Sequence, residues 1–89
     1  MMRVQITEAG PGLHPAERVV SVATRDGEVK LAVDSEALQG TTLGIGFPIR
    51  EEGGFYLIEL PRETFQGAWR VWVSTNQVTR DEARSRVYA

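Results

Sequence analysis

Apolar and polar residues alternate along this chain in short runs, and no stretch carries the spacing of a long amphipathic helix. Residues 3–7 set Val4 and Ile6 on one face and Arg3, Gln5 and Thr7 on the other, the pattern of a half-buried strand. Gly10, Pro11, Gly12 and Pro15 then argue against a regular element over residues 8–17 and for a long loop. Residues 18–24 and 28–34 flank Asp26-Gly27, a favoured pair for a two-residue type I′ turn. That turn puts Thr24 opposite Val29, Val22 opposite Leu31 and Val20 opposite Val33, all on one face. One helical turn is expected over 34–40, started by Asp34 or Ser35 and ended by Gly40, with a short strand over 41–45.

A second hairpin is predicted over 47–61, turning within 51–54. Its register places Phe47 and Ile49 on the face of Tyr56, Ile58 and Leu60, and Pro48 suits a strand start or a sheet edge. Residues 61–67 connect, with room for one helical turn between Pro61 and Gly67. Over 68–74, Trp69, Val71 and Val73 form a core face, while Ala68, Arg70, Trp72 and Ser74 form the opposite one. Thr79 followed by Glu82 is a capping-box pattern, so 79–89 is expected to be a polar tail, a short helix or disordered. No internal repeat is visible. The expectation is one small all-β domain over 1–78: a small barrel or compact sandwich of roughly five to six short antiparallel strands.

The end of the chain sharpens that expectation. Trp72-Val73-Ser74-Thr75-Asn76-Gln77-Val78 resembles the closing segment of SH3-like barrels, in which a strand enters a 3-10 turn and then a last short strand. The resemblance implies barrel topology. Peptide-binding SH3 domains have tyrosine where Gln77 stands here, and they carry an aromatic-rich N-terminal strand motif that residues 2–9 lack. Recognition of proline-rich peptides is therefore not implied.

Composition mostly excludes. With 89 residues the chain suits one domain. The absence of cysteine rules out disulfides and thiolate zinc sites and suits a reducing compartment. Residues 1–7 hold no apolar run of signal-peptide length, and no segment is apolar enough to span a membrane, so a cytoplasmic location is expected. The net charge of −2 disfavours a dedicated nucleic-acid binder.

Candidate chemistry is sparse. His14 is the single histidine and sits in a loop. Glu51 and Glu52 adjoin a turn, where carboxylates are normally solvated, and Gly44-Ile45-Gly46 lacks the strand–turn–helix setting of a dinucleotide site. No catalytic, cofactor or metal residue is assigned. Trp72 beside Arg70 has the composition of an interface hot spot. The leading expectation is a non-enzymatic interaction module that binds a protein partner, or itself, through this strand face or a sheet edge. The alternative is a small nucleic-acid-binding barrel that uses Arg70, Trp72, Arg80, Arg84 and Arg86. A small-ligand pocket or an enzyme of unseen chemistry is the third class.

Overall fold

A computed structural model of the chain describes residues 2–80. Among them are ten short strands and no α-helix. In chain order the strands are β1 (Met2–Gln5), β2 (Thr7–Pro11), β3 (Glu17–Thr24), β4 (Gly27–Asp34), β5 (Leu38–Gln39), β6 (Thr42–Ile45), β7 (Arg50–Glu52), β8 (Phe55–Glu59), β9 (Arg70–Ser74) and β10 (Val78–Arg80). Two 3-10 turns, Ser35–Ala37 and Thr75–Gln77, lead into β5 and β10. All pairings are antiparallel. They form three sheets, in the orders β10-β1-β6-β5, β2-β3-β4 and β7-β8-β9. The fold is all-β, as the alternation predicts, but with more and shorter strands, and the sheets do not join into a closed barrel.

The first hairpin forms in a different register from the expected one. Thr24 pairs with Gly27, Val22 with Val29 and Val20 with Leu31, so Arg25-Asp26 is the loop. A type I′ turn at Asp26-Gly27 would need a positive φ at Asp26. Instead, among the described residues none other than glycine has a positive φ, and Gly27 takes the left-handed position at 120°. Thr24 Oγ1 accepts from the Asp26 N–H at 3.2 Å, and the Arg25 N–H donates to the Trp72 carbonyl at 2.8 Å. The slip is by two residues, so every side chain keeps its face.

In the second hairpin Gly53 and Gly54, with φ of 56° and 85°, supply the two-residue turn, and Glu52 pairs with Phe55. Three local expectations are corrected. β2 runs through Gly10 to Pro11, because a bulge between Glu8 and Gly10 and its position at the sheet edge accommodate glycine and proline. Residues 61–67 form no helical turn; buried Thr64 organises them, with its Oγ1 accepting from the Ala68 N–H at 2.9 Å. Thr79 and Arg80 belong to β10, opposite Arg3 and Met2, while the rest of the expected tail, including Arg84 and Arg86, lies outside the described residues.

The two halves of the chain repeat one path, which the residue pattern did not reveal. In each half an incoming strand meets a hairpin, followed by a 3-10 turn and a short strand. The rungs Arg18–Val33, Val19–Ala32 and Val20–Leu31 correspond to Tyr56–Val73, Leu57–Trp72 and Ile58–Val71. The Ser35 N–H reaches the Ala16 carbonyl at 2.7 Å, and the Thr75 N–H reaches that of Gly54 at 3.0 Å. Leu38 and Val78 cap the two turns in the same way, donating to Ser35 and Thr75. The halves meet in the four-stranded sheet, where Val4 lies opposite Leu43, with Val78 beside Val4 and Leu38 beside Leu43. A pseudo-twofold axis passes through that rung.

The core lies under this axis. Val4, Val20, Val22, Leu31, Leu43, Ile58 and Val73 are fully buried, with Val33 almost so. Each contributes about 1.5–3 kcal/mol of transfer free energy, largely offset by the ordering of the chain.

Candidate functional site

Phe47, Ile49 and Trp69 lie outside the strands and are 68%, 45% and 51% exposed. The second hairpin's first strand starts at Arg50, so Phe47 and Ile49 do not join the face of Tyr56, Ile58 and Leu60 as expected, and Trp69 stays out of the core. This corrects the expectation that Trp69 packs with Val71 and Val73. The parity is right, but Trp69 precedes β9 at the end of the hairpin, where the core-facing surface opens to solvent. The three side chains wall a groove of about 710 Å³, together with Pro61. Buried Ile45 and Leu60 also line it.

Its polar members come from other elements. Arg3 donates through Nε to Thr42 Oγ1 at 2.7 Å and through Nη2 to the carbonyls of Ala37 and Thr42 at 3.2 and 3.3 Å, which ties β1 to the first 3-10 turn. Glu36 is exposed and makes no ion pair among the described residues. Glu59 pairs with Arg70 at 3.5 Å.

The pseudo-twofold explains why the groove is open. Leu60 donates to the Trp69 carbonyl at 2.8 Å and so extends β8–β9 as Val22–Val29 extends β3–β4. Trp69 thus stands where the first hairpin has Val29, and Pro61 where it has Ala23. Val29 is small enough to pack against the core. The Trp69 indole stays partly outside and becomes a wall.

The opposite wall differs too. In the second 3-10 turn Gln77 Oε1 accepts from the Ser74 N–H at 3.0 Å, while its Nε2 donates to the Ala23 carbonyl at 3.0 Å. Gln77 therefore bridges the counterpart position. Ala37 holds the equivalent place beside the groove, where a methyl group makes no such hydrogen bonds. Gln77→Ala is expected to cost about 1–2 kcal/mol, the loss of two hydrogen bonds, measured as a shift in urea midpoint.

The face marked out by the sequence is engaged within the chain. Trp72 is half-buried, and the Arg25 guanidinium lies 4.8 Å from its ring centroid and 5.6 Å from that of Phe55, both within cation–π range. The tip of the first hairpin therefore covers Trp72. Arg70 faces Glu59, and Arg80 lies in a different sheet. His14 is exposed, and Glu51 and Glu52 lie exposed on the edge strand β7. Among the described residues no cluster of His, Asp or Glu could hold a metal ion, and no helix is long and apolar enough to cross a membrane.

The groove residues went unrecognised because alternation gives a side chain its face but not its depth. The available signal was position: Phe47 and Ile49 flank Pro48 beyond the end of β6, and Trp69 sits just outside β9. No protein-family model matches the chain, and neither a curated protein nor a solved structure is similar to it.

Proposed function

We propose that this chain is a non-enzymatic interaction module that binds a protein partner through the groove walled by Trp69, Phe47 and Ile49. The observation that carries this reading is the exposure of three large apolar side chains around one depression, at a place whose pseudo-symmetric counterpart is bridged by Gln77. Exposed aromatic and aliphatic side chains around a concave surface are the anchors that interfaces use. The Arg70–Trp72 face is secondary in this reading, because Glu59 and Arg25 already occupy its two side chains. The path from β9 through a 3-10 turn into β10 supports an SH3-like relationship limited to shape. A cytoplasmic location fits a chain without cysteine.

Selection of a random peptide display library on the chain tests the reading. Selected peptides are expected to bind Trp69→Ala at least about tenfold more weakly, a loss of about 1.4 kcal/mol. That variant is expected to keep the circular dichroism of the parent. Equal affinity for Trp69→Ala, or salt-sensitive binding of single-stranded oligonucleotides in place of peptides, would overturn it.

A further inference from the structure

Leu13 is 97% exposed, more than any other large apolar side chain among the described residues. We propose, on the interaction-module reading above, that the groove's partner is a second copy of this chain: in a twofold dimer, Leu13 of each copy seats in the groove of the other.

Local hydrogen bonding holds Leu13 out. The Gly12 N–H donates to the Glu17 carbonyl at 3.0 Å and the Glu17 N–H to the His14 carbonyl at 2.9 Å, which closes residues 12–17 into a tight loop. Glycine is required at position 12, because a Cβ there would overlap the Glu17 side chain. Arg18 Nη1 donates to the Pro15 carbonyl at 3.2 Å and pins the far side. A side chain displayed on a loop held in this way has little backbone freedom left to lose on binding. Its apolar surface is then available to stabilise a contact.

The loop stands at the rim of the groove. The Ala16 carbonyl accepts from the Ser35 N–H at 2.7 Å, next to Glu36, and Glu17 pairs with Arg62 at 3.4 Å, next to Pro61. Glu36 and Pro61 both line the groove. Anchor and seat therefore lie side by side on one face. Such a face is self-complementary, since a twofold axis between two copies brings each anchor to the other's seat. An anchor on the opposite face would instead join copies head to tail.

Charge permits two identical faces to meet. Arg3 and Glu36 both line the groove, Glu59 pairs with Arg70 at 3.5 Å, and Glu17 pairs with Arg62. The signs cancel, so the face does not repel its own copy. Residues 9–16 hold no Asp, Glu, Lys or Arg, so the loop carries no unpaired charge into an apolar groove.

The test is sedimentation velocity of the full chain at concentrations up to about 1 mM. The parent is expected to dimerise. Leu13→Ser and Trp69→Ala should each weaken the dimer at least about tenfold. Both should keep the circular dichroism of the parent, since neither side chain belongs to the core. Mixing the two variants is the decisive arm. A Leu13→Ser copy keeps its groove and a Trp69→Ala copy keeps its anchor, so a mixed pair retains one intact contact. Because Leu13 and Trp69 meet in that contact, their effects are coupled, and the equimolar mixture should associate more strongly than either variant alone.

A monomeric parent overturns the proposal, as does a dimer unaffected by Leu13→Ser, or a mixture no stronger than its components. If the parent is monomeric yet display-selected peptides depend on Trp69, the interaction module stands and only its self-association fails. Peptides that bind only after removal of residues 81–89 would assign the groove to that segment and likewise overturn the dimer.

Discussion

Leu43→Ala is expected to destabilise the chain by about 2–5 kcal/mol and to lower its melting temperature by about 10–25 °C. Leu43 is fully buried in β6, opposite Val4 on one side and Leu38 on the other, so it lies at the rung where the two halves meet. Truncation there removes side-chain contacts to both halves at once. Main-chain pairing holds β6 from both sides and restricts its collapse into the gap. A domain of this size has about 5–15 kcal/mol of stability in all, so the loss is a large share. Urea unfolding monitored by circular dichroism measures it. A change below about 1 kcal/mol would mean that the core does not converge on the Val4–Leu43 rung.

Much of the fold was legible, and the reason is the period of the strand. Val20, Val22, Leu31, Val33, Ile58, Leu60, Val71 and Val73 all lie on the buried faces that alternation gave them. The first hairpin slipped by two residues without disturbing this, because facing depends only on parity. The turn differs from the expected one because local propensity at Asp26-Gly27 is outweighed by a long-range contact. The Arg25 N–H instead bonds to Trp72, far along the chain, and that contact is invisible in a local pattern.

The repeated path is absent from the residue pattern for a related reason. The two halves share backbone path and facing but few residue types: Val20-Ser21-Val22 answers to Ile58-Glu59-Leu60. Their loops differ as well, since a tight turn joins β3 to β4 where residues 60–69 join β8 to β9. Two halves built alike are free to diverge on their surfaces while the shared core rung is kept. One counterpart surface is bridged by Gln77, whose side chain here serves the fold. The other has Ala37 and Trp69 and is open. That asymmetry lies in the spatial pairing of the halves, not in their residue pattern.

The two tryptophans show the limit of alternation most directly, and they give the second large effect. Trp72→Ala is expected to cost about 2–3 kcal/mol, less than truncation of a fully buried aromatic because the ring is half-buried. It removes the platform on which Arg25 stacks and the side chain opposite Leu57, which loosens the contact between the first hairpin and β9. Trp69→Ala should cost only about 0.5–1 kcal/mol, since its indole is about half exposed along an open groove. From alternation alone the order is the reverse, with Trp69 in the core and Trp72 outside. Urea unfolding of both variants separates the two arrangements. Emission from Trp72→Phe, in which Trp69 is the remaining indole, should be red-shifted and readily quenched by acrylamide. The Trp69→Phe partner should emit further to the blue and resist quenching. A Trp69→Ala loss larger than that of Trp72→Ala would place the core on the wrong side of β9 and remove the wall on which the groove depends.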